Sequence, residues 1–232
     1  MMMSSCSQED VQVPEPSGEE VGIAYNPHRG IVTGPEFPTT NGPAGIWWLA
    51  QDWKRLPKGY PGDNIPEDEY PTGTSSLTHL WGDQSKPWIK PLPQPTPSAY
   101  GVATFTMMKN MSGNIANATV FTKLKNLTPG KKYSVKIYGA SSIAYLNNGY
   151  SHEYGRGISI EAINGGNSLS TILDLTGKEA EWVIATLAFT AASDEVTLKC
   201  SGYADDQYIQ SHPDFYHQLN VYADKHSIKE VL

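Results

Sequence analysis

No run of about eighteen apolar residues occurs in the sequence, so hydropathy offers no membrane-spanning helix. Charge is scarce as well. Only 18% of the 232 residues are Asp, Glu, Lys or Arg, and the formal net charge is −7. No Lys/Arg cluster is dense enough to neutralise several phosphates at once, which excludes nucleic acid as a partner. Helical periodicity is also missing: apolar residues hold no i, i+3, i+4, i+7 stripe over ten clean positions, apart from a weak one in "ADKHSIKEVL" near the C-terminus. There is no Gly-x-Ser-x-Gly elbow, no His-Glu-x-x-His and no phosphate loop, so an enzyme is the less favoured class. Cysteine is limited to two.

Turn formers and aromatics are abundant instead. Seventeen Pro, 21 Gly, 13 Tyr and 6 Trp favour a turn-rich β protein, and 39% apolar content suffices for one sizeable core. Residues 1–20 read as a leader remnant and an acidic tether, since "SQEDVQVPEPSGEE" has almost nothing to bury. Residues 21–232 read as one domain. Within it, 21–97 is loop-rich and ends in a strap carrying Pro87, Pro91, Pro93, Pro95 and Pro97, none of which can donate to a strand ladder. From 98 to 225 the pattern alternates with period two. Val120, Thr122 and Leu124 share a face, as do Tyr133, Val135 and Ile137, then Ile158, Ile160 and Ala162, then Val196, Leu198 and Cys200. The expectation is an all-β, antiparallel β-sandwich with little helix.

Several stretches carry a family likeness. "TVFTKLKNLTPGKKYSVKIYGAS", "ISIEAI", "EWVIATLAFTAASDEVTLKCSG" and "YHQLNVYA" resemble the galactose-binding-like jelly roll of secreted carbohydrate-binding modules. The marks are the Leu127-Thr128-Pro129-Gly130 turn before a Tyr-led strand, and Trp182 seven residues ahead of Phe189. Upstream, "GIVTGPEFPTTNGPAGIWW" is similar to the family's opening segment. The resemblance implies a jelly-roll sandwich whose partner is a poly- or oligosaccharide, with a fibronectin-type sandwich as the alternative fold. Gln218 and Asn220 stand near the place of an expected Asp, a departure that bears on the structural calcium the family often holds. No other cofactor is implied.

The two cysteines sit in contrasting settings. Cys200 alternates inward and reads as a small buried hydrophobe. Cys6, in "MMMSSCSQED", resembles the acylated cysteine of a bacterial lipoprotein, which implies a lipid-anchored or secreted protein at the bacterial outer membrane or cell surface. A Cys6–Cys200 disulfide is the alternative.

Candidate binding residues follow from the aromatics. Trp182 is expected in the core. Trp47 and Trp48 are adjacent, so on a strand they point to opposite faces and cannot both enter one core. With Trp53, Trp81 and Trp88 they are candidate platforms for a sugar ring, whose apolar C–H face an exposed indole covers at low entropic cost. The long stretch "SSIAYLNNGYSHEYGRG", residues 141–157, offers Tyr145, Asn148, Tyr150, His152, Tyr154 and Arg156 as the polar partners, with an Arg156–Glu153 ion pair as the plainer role for that arginine. A second cluster in "GYADDQYIQSHPDFYH" holds Asp205, Asp206, Tyr208, His212, Asp214 and His217. Its metal-capable side chains match no closed site, and the acidic loop with Asp63, Asn64 and Glu67 lacks an EF-hand register. The reading is non-catalytic glycan binding, with surface proteins as alternative partners and a lyase or hydrolase as the third class.

Overall fold

Alternation in the sequence becomes burial in the fold. The structure, a computed structural model, describes residues 34–56 and 71–231; Cys6 and the Asp63/Asn64/Glu67 loop lie outside the described residues. Among the described residues fourteen strands run in chain order: β1 (Gly45–Ile46), β2 (Lys54–Arg55), β3 (Thr72–Ser76), β4 (Gly101–Lys109), β5 (Ile115–Asn117), β6 (Thr119–Leu124), β7 (Lys132–Ser142), β8 (His152–Glu153), β9 (Gly157–Asn164), β10 (Asn167–Asp174), β11 (Val183–Thr190), β12 (Val196–Tyr203), β13 (Phe215–Tyr222) and β14 (Ile228–Val231). One six-residue helix, α1 (Asp206–Ser211), interrupts the passage from β12 to β13.

The strands form two sheets. A nine-stranded sheet runs β1-β3-β4-β13-β7-β11, with β14 beside β7, β5 beside β4 and β8 beside β13; a five-stranded sheet runs β10-β9-β12-β6-β2. Every strand pairing is antiparallel except β8 on β13. One face of each sheet buries its apolar row. Phe105, Val120, Leu124, Val135, Ile137, Ile158, Ile160, Leu198, Cys200, Leu219 and Val221 meet there in a single cluster, so the all-β sandwich expected from the alternation is present. At about 25 cal/mol per Å2 of apolar surface, each such side chain contributes roughly 1.5–3 kcal/mol.

The Leu-Thr-Pro-Gly turn has a clear structural role. The Thr128 N–H donates to the Tyr133 hydroxyl (2.8 Å), and the buried Tyr133 ring meets Phe189 at 6.2 Å between centroids. Gly130 takes φ 84, a left-handed conformation that favours glycine. The turn thus fixes where β7 enters the core.

The outer face of the nine-stranded sheet is covered too. The proline strap crosses it, and Leu92 and Ala99 pack on Val102, Ala140 and Tyr222. Beneath lies a polar layer: Ser75 Oγ meets Thr104 Oγ1 at 2.8 Å, Thr104 donates to Asn220 Oδ1 (2.7 Å), and Asn220 donates to Ser142 Oγ (2.7 Å). Buried hydroxyls and amides stay inexpensive because they satisfy one another.

One expectation fails. Trp182 sits immediately before β11, one position out of step with Val183, Ala185, Leu187 and Phe189, which face the sandwich core. Its parity sends it to the outer face, where it is half-buried against the strap. The weak stripe in "ADKHSIKEVL" is no helix. Ser227 closes a turn onto Asp224, and Ile228–Val231 pairs with β7 as β14.

Candidate functional site

At one end of the sandwich the connections leaving β7, β8, β10 and β12 converge around a cleft of about 710 Å3. Its walls include Glu153, Tyr154 and Arg156 from the passage between β8 and β9, Thr176 and Lys178 from the turn after β10, and Asp205, Tyr208 and His212 on and beside α1. The two polar stretches of the sequence therefore meet in one place. The volume lies within the range of small-molecule sites.

Local chemistry holds these walls. Asp205 caps α1, its carboxylate accepting from Tyr208 N (2.8 Å). The Lys109 ammonium, reaching across from β4, donates to the carbonyls of Ile209 and His212, which places a cation at the helix C-terminus. Gly155 is needed where it is. Its N–H donates to Ser141 Oγ (2.6 Å), and a Cβ there would come within 2.4 Å of Leu219 Cδ2.

A hydrogen-bonded chain runs from the cleft into the interior. The Tyr208 hydroxyl donates to Glu153 Oε2 and lies 3.0 Å from His217 Nε2. Its single proton is committed to the carboxylate, so the bond to His217 requires the proton on His217 Nε2. His217 Nδ1 is then an acceptor, buried without a partner. Burial, with smaller contributions from the charges of His212 and Arg156, depresses His217 to about 3, and the ring stays neutral. Burial and then the Glu153 hydrogen bond push the Tyr208 phenol well above its ordinary value. His212 stacks on Tyr208 at 3.8 Å, and its Nε2 stands 3.8 Å from Glu153 Oε2. Arg156 lies over the Tyr208 ring at 5.2 Å.

A second cleft, about 550 Å3, lies on the other face of β8. Strand alternation separates the two: Glu153 pairs opposite His217 on the core side, whereas His152 pairs opposite Tyr216 on the outer side. This second cleft is lined by Ile46, Met111, Asn148, Tyr150, Asp214 and Tyr216 among others. His152 Nε2 is 2.9 Å from Asn148 Oδ1, and burial lowers the His152 pKa. Tyr150 and His152 both pack on Tyr216, at 5.6 and 5.1 Å.

The candidate residues thus divide. Tyr154 and Arg156 reach the end cleft, Asn148 and Tyr150 the outer one, and Tyr145, 75% exposed, stands beside His152. The indoles divide more sharply. Trp53, Trp81 and Trp88 retain only 4, 7 and 3% of their surface, which removes them as platforms. Trp53 stacks on Phe37 and donates to Pro38 O (3.1 Å). Trp81 and Trp88 pack on Leu80 and Ala144, and Trp88 donates to Ser76 O (3.0 Å). Trp47 and Trp48 are 39% and 73% exposed. Strand alternation does not separate them, because Trp47 takes φ 67 and ends β1; its ring is partly covered by Arg55 at 4.7 Å.

Glu153, Tyr208 and His212 also line the end cleft, far from the emphasis that tryptophan content gives to the sequence. A usable signal was present: Tyr208 and His212 are four apart, the spacing that stacks side chains on a helix. Gln218 and Asn220 are fully engaged by protein groups, Gln218 with both backbone groups of Ala144. Among the described residues no three His, Cys, Asp or Glu side chains cluster to hold a metal. The Arg156–Glu153 pair is not formed; among the described residues Glu153 faces His212 instead.

No protein-family model matches the chain, and no curated protein matches it. Among solved structures it is similar to a family 61 carbohydrate-binding module in complex with β-1,4-galactotriose (14% identity, 69% of this chain and 88% of that one, TM-score 0.34). It is also similar to the K2 cleaved adhesin domain of Lys-gingipain (12%, 86% and 98%, 0.41) and to an arabinose-bound α-L-arabinofuranosidase (7%, 74% and 23%, 0.33). These proteins differ in what they do, and the functional reading rests on this chain's own geometry.

Proposed function

We propose that this protein binds a carbohydrate chain in the end cleft, with the Tyr208–His212 stack and Tyr154 as apolar faces and Glu153, Arg156 and Asp205 beside them for hydroxyl groups. The observation that carries it is the convergence of both polar loops on one open cleft held by Lys109, Asp205 and Gly155. Sugar recognition needs that combination of flat apolar contact and fixed donors and acceptors. The test is a glycan array followed by titration of the retained glycan. His212→Ala is expected to weaken binding about tenfold or more, and Trp48→Ala to leave it unchanged. Retention of no glycan, or binding indifferent to His212→Ala, sinks the reading.

The same reading places the protein at a bacterial cell surface through lipid on Cys6. Its support is the Met-Ser-Ser-Cys stretch and the acidic run behind it. Mass spectrometry of the membrane-extracted chain is expected to show acylation that Cys6→Ala abolishes.

A second reading is catalytic, favoured by one observation: the Glu153–Tyr208–His217 chain links a cleft carboxylate to a neutral buried imidazole. Such a chain is suited to moving a proton. Product release from a polysaccharide panel, abolished by Glu153→Gln, would establish it.

A further inference from the structure

The charges around the end cleft are unequally committed. Glu153 accepts from the Tyr208 hydroxyl and from Ser151 Oγ, and Asp205 is occupied in capping α1. Arg156 differs. Its Nε is buried without a hydrogen-bond partner, and among the described residues no carboxylate pairs with its guanidinium. Lys178 lies on the same rim. Glu153 and Asp205 are thus engaged by the protein, whereas a cation in the wall has donors to spare. An acceptor brought to a guanidinium with uncommitted donors gains charge-assisted hydrogen bonds.

We propose that the sugar held in the end cleft carries a carboxylate, as in a uronic acid unit, and that Arg156 reads it. The inference rests on the carbohydrate-binding reading and names the ligand class of that site. A planar guanidinium matches a planar carboxylate through two parallel N–H···O bonds, a geometry that neutral hydroxyls do not offer. The ring contact between Arg156 and Tyr208 holds the fork in place without consuming its donors, since a π face accepts charge and not a directed hydrogen bond. Glu153 and Glu179 on the walls would repel an anion placed at random, so the carboxylate is directed to the Arg156 side.

The experiment titrates the full chain with polygalacturonate, alginate and glucuronate oligosaccharides, each beside the same material after chemical reduction of its carboxyl groups to alcohols. Dextran sulfate and a panel of neutral glycans complete the set. The expected result is binding of at least one uronate, weakened about tenfold or more by carboxyl reduction and by Arg156→Gln, partly recovered in Arg156→Lys, and diminished as salt rises. The reduced polymers test the wild-type chain, so a variant that fails to fold does not remove the test. Equal binding of native and reduced polymer, neutral glycans alone, or dextran sulfate without any uronate would overturn the inference and leave carbohydrate binding standing. Binding to none of the set and to no glycan on an array would overturn both.

Discussion

The indole N–H of Trp182 reaches the main-chain oxygen of Pro93 at 2.6 Å, joining the start of β11 to a strap eighty-nine residues earlier in the chain. The strap has few ladder donors of its own to give, because prolines recur along it. The N–H groups of Trp88, Ile89 and Leu92 donate to carbonyls outside it, and side chains add further ties. Thr96 Oγ1 meets the Tyr222 hydroxyl at 2.8 Å, Lys90 reaches the Glu179 carbonyl at 2.8 Å, and Trp182 supplies the third tie.

Replacing Trp182 by Phe should therefore remove about 1 kcal/mol of stability while keeping most of the ring packing. Trp182→Ala should cost more, about 2–3 kcal/mol, because a half-buried face is lost as well. Urea denaturation of the two variants separates these contributions, and equal losses would show that the Pro93 bond adds nothing.

His217 should make the fold acid-sensitive. Its folded pKa of about 3 lies below the unfolded value of about 6.5, so between those two pH values the unfolded chain binds a proton that the native protein does not. Stability then falls as pH drops from about 6.5 towards 3, and the part due to this residue is about 2 kcal/mol between pH 7 and pH 5. The difference should disappear in His217→Gln. Unfolding free energies of both proteins at the two pH values measure it.

The Cys200 thiol is fully buried, and burial pushes its pKa up to about 12. In a Cys6→Ser background a thiol-specific disulfide reagent should leave the native protein unmodified and react only at the rate of unfolding. Rapid labelling without denaturant would contradict the packing of β12.

Exposure sorts the indoles energetically. Trp48→Ala should change stability by no more than about 0.5 kcal/mol, whereas Trp53→Ala, which empties a site between the sheets and strands Pro38 O, should cost about 3–5 kcal/mol. Thermal or urea melts of the pair decide it.

The sandwich was legible because period-two patterning is local information. Tyr133, Val135 and Ile137, or Val196, Leu198 and Cys200, declare their face without knowledge of any partner strand. Parity errors begin where a strand begins. Trp182 lies one residue outside β11, and nothing nearby in sequence says on which side of that boundary it falls. The two-residue strands β1, β2 and β8 carry too few positions for a pattern. Trp81 and Trp88 pack on Ala144 as well as Leu80, and Ala144 lies more than fifty positions away, so their burial depends on a tertiary contact. The candidate site was legible in its ingredients and not in its assembly: both polar stretches stood out, yet their meeting depends on α1 being pinned by Lys109 from a different strand.

The brevity of β8 has an evolutionary consequence. Two neighbouring residues, His152 and Glu153, point to opposite sides of the sheet, Glu153 into the wall of the end cleft and His152 onto Tyr216, and only the step of the pleat assigns which goes where. A one-residue slip in the pairing of β8 with β13 would exchange their sides. The loop ahead of β8 carries no pleat and absorbs added residues of either parity, so descendants of this chain can vary its length while the two paired positions hold.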